Sequence, residues 1–395
     1  MRSFVVSSLG LSLLFTACTV NTGSPGTGGG LSPQDDAGKG SAKDAGKDKD
    51  SGKDAGAGVV LPFSPSNLGS ALAMIDTKDL VDVDVTANSQ LGLTPAVYGV
   101  KEIMVTEAGG TTINVYVARS WKIEPTVVLS VIDNSPVVMV ATTTIDVLGR
   151  IDASATSSDD AVSGGYTSSN GLGGPGGGGS GTNANPPDVG AGGGSFCGAG
   201  GAGGGATATQ GTPGPTYGLA TLIPLQGGSA GAALPGEGGS GGGAIQLVAA
   251  TSVNVGPAGI ISAGGGGGYG DGAGGAGGGI LIEAPDVTMA GTLAVNGGGG
   301  GDGDSTGFGM DATPSATPAP GLTDMTSGAG GNGSAGDTIA GGDGVSGGAS
   351  TASGAGGGGA GYIRINTTSG KATLTGGTLS PSLSTPCATQ GMTSP

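Results

Sequence analysis

The sequence predicts an all-β protein, a parallel β-helix whose coils are separated by long glycine-rich inserts. Three observations carry this. A unit of about 20 residues holding three short alternating apolar strands recurs along the chain. Glycine, asparagine or small polar residues stand at the corners between those strands. Glycine fills 94 of 395 positions and is concentrated between the units, where an ordinary protein has about 7%. No strict Gly-X-Y period runs through the chain, which excludes collagen.

The first element is a leader. Arg2 is followed by an apolar run from Phe4 to Phe15, and Thr16-Ala17 then precede Cys18. This is the pattern of a bacterial lipoprotein signal peptide. It predicts that residues 1–17 are removed and that Cys18 becomes an acylated N-terminus. An ordinary secretory signal with an incidental cysteine is the competing reading. The predicted address is the cell envelope, and Thr19 rather than Asp after Cys18 points to an outer-membrane lipoprotein facing the cell surface. Residues 18–58 read as a disordered Gly/Ser/Lys/Asp tether. The run Lys43 to Asp54 alternates opposite charges with no large apolar residue to bury. A flexible chain of this length reaches on the order of 35 Å.

Residues 59–135 form a β-rich N-terminal part. Val81, Val83 and Val85 alternate, as do Ile113, Val115 and Val117. Gly109-Gly110 predicts a hairpin or corner between two strands, and a short helix is expected over 68–75. Residues 136–395 carry the repeat. Its copies begin at Val137, Ala244, Ile280 and Tyr362, and the segment 112–131 fits the same template more loosely. One coil cannot bury its apolar face alone, whereas several stacked coils can. An antiparallel sandwich is the rival fold.

The glycine-rich inserts span 155–243, 264–278 and 297–360. Each follows the third strand of a unit, so all three should leave one corner of the helix. Two outcomes follow. The inserts are disordered, because ordering glycine costs the most backbone entropy. Alternatively they form extended three-fold strands, as in polyglycine II, that bond sideways without Cβ atoms to keep them apart. Stretches such as 198–205, with only small side chains on every face, favour the second.

Composition removes several kinds of chemistry. There is no histidine, so Ser-His-Asp and Cys-His pairs are excluded along with the commonest metal ligand. Cys197 and Cys387 are too few for a cysteine zinc site. In an oxidising compartment they can form a disulfide, and two free thiols is the other reading. The net charge is −16, and no Lys or Arg lies between Arg150 and Arg364. Nucleic acid is therefore excluded as a partner, and a lyase for acidic polysaccharide would lack its cations. Asp271, Asp302, Asp304 and Asp343 sit beside glycines and are weak Ca²⁺ candidates, without the tandem spacing of calcium-binding β-rolls. No other cofactor is expected. Asp159-Asp160 lie in serine-rich sequence with no cation nearby. Asp79, Asp82 and Asp84 read as the solvent face of a strand.

Three glycine-to-strand junctions carry a family resemblance: Gly242-Gly243-Ala244-Ile245-Gln246-Leu247-Val248-Ala249, Gly279-Ile280-Leu281-Ile282-Glu283-Ala284-Pro285, and Gly358 to Asn366. With the tail from Gly377 to Gly391, the chain resembles the glycine-rich surface lipoproteins of predatory, myxobacteria-like bacteria, often labelled PE-PGRS-like. The likeness to PE-PGRS proteins themselves rests on glycine content, since the helical PE region is missing. The resemblance implies a surface location and brings no catalytic residues. The expected function is structural or adhesive and non-enzymatic. Its partners would be the lipid membrane through the acyl anchor, and polysaccharide or a neighbouring cell surface through the glycine-rich loops. A glycan-processing enzyme acting on neutral polysaccharide is the alternative. It would require carboxylates such as Asp146, Asp152 and Asp286 to converge in one groove.

Overall fold

A computed structural model describes residues 58–395, apart from 93–97, 108, 158–162, 169–172, 182–188, 206–209, 234–236, 304–306, 324–326 and 349–350. The leader, Cys18, the tether up to residue 57, Asp159-Asp160 and Asp304 lie outside the described residues.

The chain is nearly all β and is dominated by three parallel sheets. The repeated unit explains the topology. Its first copy supplies β7 (Val137–Ala141), β8 (Thr144–Val147) and β9 (Arg150–Asp152). The second supplies β10 (Ala244–Ala249), β11 (Ser252–Val255) and β12 (Ile260–Ser262). The third supplies β13 (Gly279–Glu283), β14 (Asp286–Met289) and β15 (Thr292–Ala294). The fourth supplies β16 (Tyr362–Thr367), β17 (Thr373–Leu374) and β18 (Thr378–Ser380), and β19 (Ala388–Met392) follows. Upstream lie β1 (Asp82–Val85), β2 (Ser89–Gly92), β3 (Lys101–Thr106), β4 (Thr112–Ala118), β5 (Ser120–Ile123) and β6 (Val128–Ile132). Each strand of a triplet enters a different sheet. The orders are β19-β16-β13-β10-β7-β4-β3, β1-β5-β8-β11-β14-β17 and β18-β15-β12-β9-β6-β2. This solenoid-like order includes strands well upstream of residue 136.

All pairings between named strands are parallel except β3 with β4. That pair is a hairpin closed over Gly109-Gly110, where Gly110 N–H donates to the Glu107 carbonyl at 2.9 Å. Over the expected short helix, a single 3₁₀ turn forms at Ala71–Met74.

Equivalent side chains stack in register. Leu247 lies between Met139 and Ile282, and Val253 between Ile145 and Val287. These inward residues form one continuous buried core with Trp121, whose indole N–H donates to the Val140 carbonyl at 3.1 Å. Second strands alternate because their outer face meets water, as in β8 and β11. First strands do not alternate: β7, β10 and β13 are buried at every position.

The reason is a second apolar layer on the outer face of their sheet. Val59, Phe63, Leu68, Leu72 and Ile75 pack there against Val138, Val140, Val248 and Leu281. A strand covered on both faces reads as an unbroken apolar run. The strap from residue 58 to 76 crosses this sheet. Ser64 bonds Ser394 beyond β19, and Ser66 bonds Glu283 at the end of β13.

Candidate interaction surface

Each insert leaves a third strand and re-enters a first strand: β9 to β10, β12 to β13, and β15 to β16. They therefore emerge along one corner, one above another. Their described residues are ordered by bonding between backbones. From 273 to 278, successive amides donate in three directions. Ala273 and Ala276 donate to Ala232 and Ser229 of the first insert. Gly274 and Gly277 donate to Gly356 and Gly359 of the third. Gly275 donates to Gly266 on the other limb of its own insert, and Gly278 to Ala263 just before that insert begins.

The same three-residue period governs 354–361. Gly354, Gly357 and Ala360 donate to Val345, Gly342 and Ile339. Ala355, Gly358 and Gly361 donate to Gly301, Gly298 and Val295, while Gly356 and Gly359 donate to Ala191 and Gly194. A strand of three residues per turn points successive N–H groups about 120° apart, as this pattern requires. Neighbouring backbones take the volume a side chain would fill. A Cβ on Gly274 would stand 2.1 Å from the Gly298 carbonyl oxygen, and one on Gly357 2.0 Å from that of Asn332. Alanine occurs where methyls meet one another, as in the buried group Ala191, Ala232, Ala273 and Ala355.

Side chains fasten this layer to the strand triplets. Cys197 of the first insert is disulfide-bonded to Cys387, which immediately precedes β19. Beside it Phe196 packs on Tyr217 and Tyr362, with ring centroids 4.7 and 4.9 Å apart. Tyr217 donates its hydroxyl to the Gly227 carbonyl at 2.6 Å, and burial pushes its ionisation above the usual phenol range. The buried Glu283 carboxylate accepts from Ser66, Gln246 and Asn366 at 2.7–3.0 Å, so it joins the strap to three consecutive repeats.

The outer strands of the layer present a mixed face: Thr313, Thr317, Asn332, Asp337, Thr338 and Ser346 are exposed, and so are Met310 and Val345. Hydrogen bonds from Ser382 and Ser384 hold the Asp337 carboxyl below the usual carboxylate range. At the far end the insert tips meet. Tyr269 bridges to Glu237 and Phe308, with ring centroids of the aromatic pair 4.6 Å apart. Tyr269 and Phe308 lie in separate inserts, which only the fold brings together.

Asp271 and Asp302 lie on adjoining backbones, where the Gly301 amide donates to the Gly272 carbonyl at 2.9 Å. Asp271 and Asp302 are buried, whereas Asp343 is exposed and accepts from the Ala202 amide at 2.7 Å. No group of three carboxylates or thiols able to hold a metal occurs among the described residues. Asp146 and Asp286 belong to the β8–β11–β14 sheet, offset in register, and Asp152 belongs to the β9 sheet. Asp146 accepts from Asn254 at 2.8 Å, and Asp152 is held by Arg150 and Ser262. No described helix is long and apolar enough to cross a membrane. No protein-family model, curated protein or solved structure matches the chain.

Proposed function

We propose that the chain is a membrane-tethered, non-enzymatic surface scaffold. In this reading the strand triplets form a parallel β-helix and the inserts a polyglycine II slab along its side. Acylated Cys18 holds the protein at the outer membrane. The observation that carries the reading is the three-way amide bonding of the inserts. It uses up the backbone donors inside the slab and leaves short Ser, Thr and Asn side chains, with Met310 and Val345 among them, on its outer strands. Such a face suits broad, weak contact with a repetitive partner, a neutral polysaccharide or a neighbouring cell. The separation of Asp146 and Asp152 onto different sheets supports this reading over glycan processing, since paired-acid hydrolysis needs two carboxyls within roughly 10 Å across one groove.

The test is retention of the purified protein on whole cells and on neutral and acidic polysaccharides, with and without Ca²⁺. Saturable retention on cells or neutral glycan without release of sugar is expected. Release of sugar, or absence of retention on every surface, would overturn the reading. Metabolic acyl labelling that disappears in Cys18→Ala is the expected outcome for the anchor.

A further inference from the structure

A groove of about 780 Å³ opens between the strap, the β3–β4 hairpin and the loop of the first insert around Ile223-Pro224. It lies on the opposite side of the β3 end of the sheet from the buried core and plays no part in the scaffold reading. Its walls are apolar: Leu68, Met74, Met104, Ile223 and Pro224 line it. Met74 and Met104, both among its lining residues, are 82% and 75% exposed. Methionine is unbranched and polarisable, so such walls adapt to flexible apolar ligands. The volume is that of a small-molecule site.

Asn67, Ser70, Thr106 and Glu107 interrupt these walls, and Glu107 is the charged group among them. Glu107 follows β3 and also lines the groove. Its Oε1 accepts from the Leu225 amide at 3.0 Å. Its Oε2 is buried and has no hydrogen-bond partner among the described residues. None of the ion pairs among the described residues involves it. Burial raises the proton affinity of this carboxyl, the mark of a charge short of solvation. A carboxylate oxygen with no donor, set between apolar walls, is complementary to a ligand with a cationic donor at one end and a hydrocarbon body.

We propose that this groove binds an amphiphile carrying a primary ammonium head, with the head on Glu107 Oε2 and the hydrocarbon chain between Met74, Met104 and Ile223. The chain lies along the strap and the head donates to the oxygen that lacks a partner. An amphiphile with a carboxylate head would be repelled by Glu107, and one with a hydroxyl head would donate a hydrogen bond but no charge.

The probe is decylamine below its micelle concentration, with decanoate and decanol as controls. Binding is read from the methyl resonances of methionine-labelled protein spanning residues 18–395, kept unacylated by Cys18→Ser. Saturable shifts of Met74 and Met104 with decylamine are expected, with decanol weaker and decanoate inert. Glu107→Gln should weaken decylamine about tenfold or more, as loss of a buried charged hydrogen bond requires. Asp286→Asn, at an exposed carboxylate outside the groove, should leave binding unchanged and so separates the site from general attraction to an acidic protein. Unshifted resonances of the buried Met139 and Met289 show that each variant is folded. Absence of saturable shifts, decanoate binding as tight as decylamine, or equal weakening in Asp286→Asn and Glu107→Gln would each overturn the proposal.

Discussion

The strand triplets and the glycine-rich layer solve the same problem by opposite means. In the triplets, backbone bonds run along one direction between neighbouring strands, and cohesion comes from side chains. Met139, Leu247 and Ile282 stack at equivalent positions and exclude water. The period is two, and every Cβ points to one face or the other. In the layer, the period is three, and along 273–278 only Ala273 and Ala276 carry a side chain. Residues 273–278 bond to three different strands in turn, and the carbonyls of neighbours occupy the space of the missing Cβ atoms. One region fails when a side chain is taken away, and the other when one is added. A low-complexity composition is therefore compatible with a specific fold, provided that backbone bonding runs in more than one direction.

The seam between the two regions offers the largest expected effect. The disulfide closes a loop of 190 residues, and chain-entropy reasoning gives up to about 5 kcal/mol for a loop of that size. Replacing Cys197 and Cys387 by Ser should lower the thermal midpoint, and limited proteolysis should then release insert fragments before fragments of the strand triplets. Within the two regions the comparison becomes a pair of opposite substitutions. Leu247→Ala opens a cavity in the core and should cost about 2–5 kcal/mol in denaturant unfolding. Gly274→Val forces a side chain onto the Gly298 carbonyl and should cost at least about 3 kcal/mol. Gly109→Ala is the control. A Cβ there meets nothing within 4 Å, so stability should stay within about 0.5 kcal/mol.

The smallest effect at neutral pH is electrostatic. Burial raises the ionisation of Tyr116, Tyr217 and Tyr362 above the ordinary phenol value of 10.0. An unfolded chain releases those protons near pH 10, whereas the folded chain retains them. Stability is thus complete below that pH and falls as pH rises beyond it. Tyr362→Phe should leave the neutral-pH midpoint nearly unchanged and flatten the alkaline limb of a thermal titration.

Much of the strand order was legible in the sequence, because the second strands of the first three units alternate between a buried and a wetted face. Val253 and Val255, or Val287 and Met289, point inward as their spacing implies. The hairpin at Gly109-Gly110 was legible from glycine alone. The strap was not. Val59, Phe63 and Leu68 show no clear period, and their partners Val138 and Leu281 lie far along the chain. Its trace was the unbroken apolar character of β7, β10 and β13, which only a sheet covered on both faces explains. The order of the inserts was half legible. Glycine content allowed close packing, but the pairing of 273–278 with the first and third inserts depends on which backbones the triplets bring side by side. The Glu107 groove left no trace in sequence, since Glu107, Met74 and Ile223 share no motif and meet only across the strap.

Hydrogen exchange read by mass spectrometry tests most directly whether the glycine-rich layer is folded as a lattice. The bonding described above predicts that amides of 273–278 and 354–361 exchange at least about a thousandfold more slowly than an unstructured chain, as bonded core segments do, and at rates comparable to β10 and β13. Exchange of those insert amides at the rate of an unstructured peptide, while β10 and β13 stay protected, would contradict it and leave the inserts as loose loops on a strand scaffold.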